Sequence, residues 1–257
     1  MSARAKFAID DEVRDVLARS TMTETTVVLP EQLDRMTYVK VNKVLVGAGG
    51  KWDRSAKAHL FDRDPRTLLT VAATTGEAVN LKTQLQAFYT PASVAKKLVL
   101  LADPKSGERV LEPSAGTGAL VAEVLAYQPQ CVVTAIDIDE VAIERLQVFK
   151  YVTVLKADFL AVRPKDLLEP ASDLVVMNPP FSGNQDIRHV THALSFLKKG
   201  GRLLAIVGAG SLSGGNKEKE RFLALIDLYD FDIYDLPEGS FKESGTSVNT
   251  KILEILT

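Results

Sequence analysis

The chain is 257 residues long, 46% hydrophobic and 25% charged, with a formal net charge of −2, which is ordinary for a globular protein and leaves room for one large α/β domain plus a small appendage. The near-neutral balance excludes a uniformly polycationic surface, so any nucleic-acid contact must use a local patch. A single cysteine, Cys131, excludes an internal disulfide framework or a cysteine-built zinc cluster and reads as a core thiol in a reducing compartment. No apolar run approaches the length of a membrane span, and the N-terminus lacks the apolar core of a signal peptide, so the expectation is a cytoplasmic protein with no membrane attachment and no metal site.

Residues 1–87 read as a small α+β region. Asp10–Leu17 is a short amphipathic helix, followed by a Thr-rich extended piece that ends at Pro30. Leu33, Met36, Val39, Val41, Val44 and Leu45 recur at helical spacing, and Gly47–Gly50 stops that helix. Lys51–Arg54 and Ala58–Phe61 flank a polar turn and predict a hairpin. Between Arg35 and Arg66 eight Lys/Arg face three acids, with the only tryptophan, Trp52, among them. Cations interleaved with an aromatic suit a phosphate-backbone contact, with Lys51, Trp52 and Arg54 as candidates. A solvated face with Trp52 as a small core fits the same residues. Residues 67–87 read as a linker with a helix near Glu77–Ala87.

Residues 88–257 read as one α/β domain. Thr90 is placed to cap a helix over Ala92–Ala102, with Pro91 in its first turn. Strands at Val110–Leu111, Cys131–Ile136, Val152–Leu155, Leu174–Met177, Arg202–Val207, Phe231–Leu236 and Thr250–Leu256 alternate with helices at Ala119–Tyr127, from Glu140, at Asp186–Lys198 (stopped by Gly200-Gly201) and at Glu220–Leu228. This alternation predicts a parallel-rich, doubly wound sheet. Gly208–Lys219, glycine-rich and polar, reads as a mobile loop.

Four strand ends carry chemistry. Glu112-Pro113-Ser114-Ala115-Gly116-Thr117-Gly118 is a Gly-rich turn that lets backbone approach a ligand. Asp137 follows Gly118 by 19 residues, near the ~20 expected of a ribose-hydroxyl acceptor. Asp158, after the third strand, can accept from an adenine amino group. Glu112 is a poor neighbour for a pyrophosphate and a good one for a cationic ligand, which disfavours a dinucleotide site. Asn178-Pro179-Pro180-Phe181 is stiffened by its two prolines, so the Asn178 amide and the Pro179 carbonyl sit at fixed positions beside an aromatic ring. A plain strand-to-loop turn is the alternative for that tetrapeptide. His59, His189 and His192 read as structural, with His189 able to face the site.

On these residues the chain, from about Phe88 to Ile255, resembles the S-adenosylmethionine-dependent N6-adenine DNA methyltransferases, with cofactor motifs first and catalytic motif second, as in the gamma class. The resemblance implies a Rossmann-like class I methyltransferase fold: a seven-stranded, mostly parallel, doubly wound sheet. It implies cofactor contacts from Phe88, Tyr89, Thr90 and Pro91, from Glu112, Pro113, Ser114, Gly116 and Gly118, from Asp137 and Ile138, from Asp158 and Phe159, and from Asn178. The product would be S-adenosylhomocysteine. Asn178, Pro179, Pro180 and Phe181 resemble the catalytic tetrapeptide, and Phe241 the second aromatic of a pocket in which Phe181 and Phe241 sandwich an adenine flipped out of DNA. An RNA adenine or a protein glutamine amide fits the same chemistry, although the glutamine enzymes usually carry Tyr where this chain has Phe181. A non-catalytic, methyltransferase-like nucleic-acid-binding subunit is the third reading. The sequence ends at Thr257 without the large recognition domain of that family, so specificity is expected from residues 1–87, from the loops at 182–189 and 208–219, from a separate specificity or restriction subunit, or from nowhere.

Overall fold

In the computed structural model, which describes residues 6–81, 90–242 and 248–257, the chain divides into two units, Met1–Ala87 and Phe88–Thr257. The first unit contains strands β1 (Lys6–Ala8), β2 (Thr21–Met22), β3 (Thr26–Val28), β4 (Lys51–Asp53), β5 (Ala58–Leu60) and β6 (Glu77–Val79), with helices at Asp11–Arg19, Arg35–Gly47 and Arg66–Thr75. The aspartate before each of the first two helices caps it: Asp10 accepts from Val13 N, and Asp34 from Met36 N and Thr37 N. Val13, Val16 and Leu17 pack with Val41, Val44, Leu45 and Leu69 into a core of this unit.

The region expected to be a linker is structured. Arg66–Thr75 is helical and ends at Gly76, whose φ of 75° supplies the left-handed turn. Glu77–Val79, expected to begin a helix, is instead strand β6, antiparallel to β1. Its partner lies at the other end of the unit's sequence, and local periodicity does not report such a pairing.

The second unit is built on a seven-stranded sheet. Its strands are β7 (Arg109–Glu112), β8 (Val132–Asp137), β9 (Val152–Lys156), β10 (Ser172–Met177), β11 (Leu197–Gly208), β12 (Asp230–Asp235) and β13 (Thr250–Leu256). The order is β12-β13-β11-β10-β7-β8-β9. Pairing is parallel from β11 through β9 and antiparallel for β11·β13 and β12·β13. All six residues of β10 are buried. Leu174 and Val176 join the core under the helices Ala92–Ala102 and Ala119–Tyr127. Val175 and Met177 join the core under the helices Gln185–Ala193 and Lys217–Ile226. A continuous apolar run here means burial on both faces of a pleated strand. The chain passes from β7 outward to β9, then returns to β10 on the other side of β7. The switch point, where such sheets bind ligands, therefore lies between the ends of β7 and β10. Among the described residues no helix is long and apolar enough to cross a membrane.

Two expectations about segments change. The helix expected over Asp186–Lys198 stops at Ala193, and a short 3₁₀ turn leads into β11 at Leu197. Gly200-Gly201 therefore does not end a helix. It sits where the β10·β11 register jumps from Ser172↔Leu197 to Leu174↔Arg202, with Gly200 at φ 74° and a Cβ at Gly201 only 2.9 Å from Lys198 O, the geometry of a bulge. The loop after β11, read as mobile, is anchored instead. Gly208 N and Ser211 Oγ both donate to Asp186 Oδ2, at 3.0 and 2.5 Å. Lys219 Nζ donates to Gly210 O, and the next helix already starts at Lys217.

Candidate active site

The turn after β7 is held by three backbone donors. Ala115 N bonds Ile136 O at 3.0 Å, Gly116 N bonds Asp137 Oδ2 at 2.7 Å, and Gly118 N bonds Ala115 O at 2.9 Å. Its two glycines do different work. At Gly118, φ is 86° and a Cβ would lie 2.7 Å from the Phe149 ring, so this position serves close packing at the start of a helix rather than a ligand. At Gly116, φ is 54° and nothing lies within 4 Å of a Cβ, so its backbone borders open space. Pro113 is buried. Ser114 Oγ meets Nδ1 of His189 at 3.2 Å, tying the turn to the helix Gln185–Ala193. Burial lowers His189 to about 4, so the ring is neutral near pH 7.

The acids end the neighbouring strands. Glu112 is 1% exposed, and its Oε2 is buried without a hydrogen-bond partner. Burial, with the Asp137 charge added, holds its carboxyl well above the usual range. Asp137 accepts from Gly116 N through Oδ2 and from Asp139 N through Oδ1 at 2.8 Å; burial raises it as well. Ile138, just beyond, is an exposed apolar side chain. Asp158 is exposed, and its Oδ1 caps a short 3₁₀ turn by accepting from Leu160 N at 3.0 Å. Phe159, expected to touch cofactor, is 3% exposed and packs against His189, His192 and Phe196. It is a core residue because the turn after β9 points its side chain inward.

Asn178 follows β10 and is buried with Pro179. Its Nδ2 donates to Thr90 Oγ1 at 2.9 Å. Thr90 therefore does not cap the helix it precedes; Pro91 occupies the cap position in extended geometry, with no side-chain cap bond. Pro180 and Phe181 are half-buried. The Phe181 and Phe241 rings meet edge to face, with centroids 5.9 Å apart and planes at 89°. Phe241 is fully buried in the core beneath. Touching, perpendicular rings leave no slot for a flat base, so the expected sandwich is replaced by a single partly open ring, Phe181, propped on Phe241. Phe88 and Tyr89 lie outside the described residues.

In the first unit, Lys51, Trp52 and Arg54 are exposed on the β4–β5 hairpin. Trp52 is not a small core: it is 45% exposed and leans edge-on against His59 at 5.2 Å. Asp53 Oδ1 accepts from Ser55 N and Ala56 N, both at 2.8 Å, which stiffens the turn. Lys51 reaches Asp62 at 3.7 Å. His59 is structural, buried with Nε2 2.8 Å from Asn42 Oδ1.

Sequence periodicity carried no signal for Thr90–Asn178, Ser114–His189 or Asp186–Ser211, since each pair joins residues from distant segments. The acids and the open turn fit a cationic nucleoside such as S-adenosylmethionine. Glu112 Oε2 is an unsatisfied buried acceptor, suited to an ammonium or sulfonium. Asp137 retains lone pairs for ribose hydroxyls, and Gly116 leaves room at the turn.

The family described as methyltransferase small domain matches residues 94–222, half of the chain. No curated protein matches. Among solved structures, the methyltransferase subunit of a type I restriction-modification system from Streptococcus thermophilus is 20% identical with a TM-score of 0.56, over 73% of this chain and 48% of that one. A dimethyladenosine transferase from Plasmodium falciparum is 19% identical with a TM-score of 0.50, over 66% of this chain and 63% of that one. The chain thus spans about half the length of the restriction-modification subunit it matches, and at these identities the likeness is one of fold. The chain belongs to the methyltransferase small domain family, as an S-adenosylmethionine-dependent methyltransferase of the class I, Rossmann-like fold.

Proposed function

We propose that the chain methylates the exocyclic N6 of adenine in DNA. The observation that carries this reading is the placement of Asn178-Pro179 at the end of β10, with the Asn178 amide oriented by Thr90, across the switch point from Glu112. S-adenosylmethionine, when bound, supplies an electrophilic methyl group on a sulfonium. Glu112, Asp137 and the Gly116 backbone hold its cationic and ribose portions. The adenine amine is a weak nucleophile because its lone pair is delocalised into the ring. Asn178 Oδ1 and the Pro179 carbonyl accept its two N–H bonds. That favours a localised lone pair and offsets the positive charge that develops on nitrogen. The prolines keep both acceptors in place, so little reorganisation is needed as the reaction proceeds. Phe181 offers one face for stacking. The β4–β5 hairpin contacts the phosphate backbone through Lys51 and Arg54, with Trp52 beside them. A separate specificity subunit as partner belongs to the same reading.

The test is transfer from labelled S-adenosylmethionine to unmethylated DNA, RNA and extracted protein in parallel, with the product located by mass spectrometry. N6-methyladenine in DNA is expected. Label in RNA or protein alone would overturn the assignment.

A further inference from the structure

The two halves of the sheet end differently. β7, β8 and β9 end at the acids Glu112, Asp137 and Asp158. The ends of β10 and β11 instead surround a cavity of about 310 Å³, whose walls include Phe181, Asn184, Gly208, Ser211 and Lys219. That volume lies at the low end of small-ligand cavities, roughly 300–1,000 Å³, and suits one planar group with its attachment. The cavity adjoins Phe181 but is not lined by Asn178 or Pro179, so it lies beside the position of the methylated amine.

Three of its polar side chains have partners that set how they face it. Asp186 stands behind the wall, 0% exposed. Its Oδ2 accepts from Gly208 N at 3.0 Å and from Ser211 Oγ at 2.5 Å, while Oδ1 is buried without a partner. Ser211 has one hydroxyl proton, and Asp186 takes it. Toward the cavity Ser211 Oγ therefore offers only lone pairs. Asn184 Nδ2 gives one of its two N–H bonds to Glu218 Oε2 at 2.8 Å, which orients the amide and leaves Asn184 Oδ1 as a second acceptor. Glu218 is itself held by Arg188 at 2.7 Å. Lys219 donates one N–H to Gly210 O and has two more, with no capacity to accept. The walls thus present acceptors at Ser211 and Asn184, one cationic donor at Lys219 and an aromatic ring, with the Ser182 hydroxyl and the second Asn184 N–H beside them.

We propose that this cavity is a subsite for the nucleotide next to the methylated adenine, where Ser211 and Asn184 read N–H donors on the neighbouring base and Lys219 reads an acceptor. Guanine, with N1–H and N2–H₂ beside O6, meets all three groups once this nucleotide too is unpaired, since a complementary base would occupy the same edge. Asp186 is a positioning residue: it keeps Ser211 an acceptor. The subsite rests on the proposed function and deepens it, because it assigns sequence context to residues of the catalytic unit.

The experiment maps methylated adenines in unmethylated genomic DNA after treatment with wild type, Ser211→Ala, Lys219→Met and Asp186→Asn, with S-adenosylmethionine affinity as the control for folding. The readout is the ratio of methylation at preferred against other neighbouring bases, which a purely structural defect leaves unchanged. Wild type is expected to favour guanine at one adjacent position, and Ser211→Ala and Lys219→Met to lower that ratio about tenfold. Asp186→Asn, whose amide oxygen must stay toward the Gly208 N–H and so still accepts the Ser211 proton, is expected to leave the ratio unchanged, and a shifted ratio contradicts the role given to Asp186. Lys219 is half-buried on a helix, so its variant remains informative if Asp186→Asn does not fold. A wild type without guanine preference, or an unchanged ratio in active Ser211→Ala and Lys219→Met, overturns the subsite alone. A wild type that methylates no nucleic acid overturns the proposed function and the subsite with it.

Discussion

The side-chain amide of Asn178 donates through Nδ2 to the hydroxyl of Thr90, 88 positions earlier, at 2.9 Å. The amide is therefore oriented before any acceptor arrives. Asn178→Ala should lower methyl transfer about 10²–10³-fold, the usual cost of losing an oriented oxyanion-hole-type group. Thr90→Val removes only the orienting bond and should lower transfer about 5–10-fold. Single-turnover rates beside cofactor titrations check both, and undiminished single-turnover transfer by Asn178→Ala would refute the role given to it.

Glu112 makes stability depend on pH. Its folded-state carboxyl is held well above the usual range by burial and by Asp137. The folded state thus binds the proton more tightly than the unfolded one, so the associated stability is present below the unfolded value near 4.5 and declines as pH rises above it. Glu112→Gln should raise the Tm of the cofactor-free protein at neutral pH, by about 1–3 kcal/mol of stability, and weaken cofactor binding. Thermal melts from about pH 4 to 8 show whether the gap between the two proteins widens with pH, as expected.

His189 works in the opposite direction. Its folded value near 4 lies below the ordinary 6.5, so the unfolded chain binds the proton first. The stability tied to the neutral ring is full above about 6.5 and is lost as pH falls toward 4. Relative to wild type, His189→Gln should flatten the acid limb of the melting curve between those values. An identical acid limb in the two proteins contradicts this.

The glycines of the turn after β7 should separate. Gly118→Ala puts a methyl group 2.7 Å from Phe149 at φ 86°, and should cost about 2–4 kcal/mol from strain plus overpacking. Gly116→Ala meets no protein atom within 4 Å. It should destabilise by only about 1 kcal/mol while weakening cofactor binding. Denaturant melts and calorimetric titration of both variants distinguish the two effects.

On the hairpin, Arg54→Glu with Lys57→Glu should weaken nucleic-acid binding and flatten its dependence on salt, the slope falling by about one for each phosphate that is no longer neutralised. Trp52→Ala should weaken binding with little change in slope. Affinities measured across a salt series decide this, and a slope unaltered by the charge reversals tells against the hairpin.

The strand-and-helix alternation from Val110 to Leu256, the acids at strand ends and the tetrapeptide at Asn178 were legible in the chain, because periodicity and turn chemistry are local. The helix Arg66–Thr75 and strand β6 were not, since β6 gains its partner from β1 at the far end of the unit. Gly200-Gly201 misled for a related reason: a glycine pair serves a helix end and a strand bulge equally well, and the neighbouring strand β10 selects the bulge.

Residue identity alone named the strand-end acids and the tetrapeptide at Asn178 in their order along the sheet, since each depends on a strand end and the few residues after it. Tertiary packing decided the burial and the partners of the named residues. It buried Phe159 and Phe241 in the cores, turned Thr90 from a helix cap into the partner of Asn178, and set Asp186 behind Ser211. Those outcomes depend on hydrogen bonds and ring contacts between segments that are neighbours only after the sheet has assembled. The tetrapeptide at Asn178 is written in the sequence, and the folded sheet orients its amide.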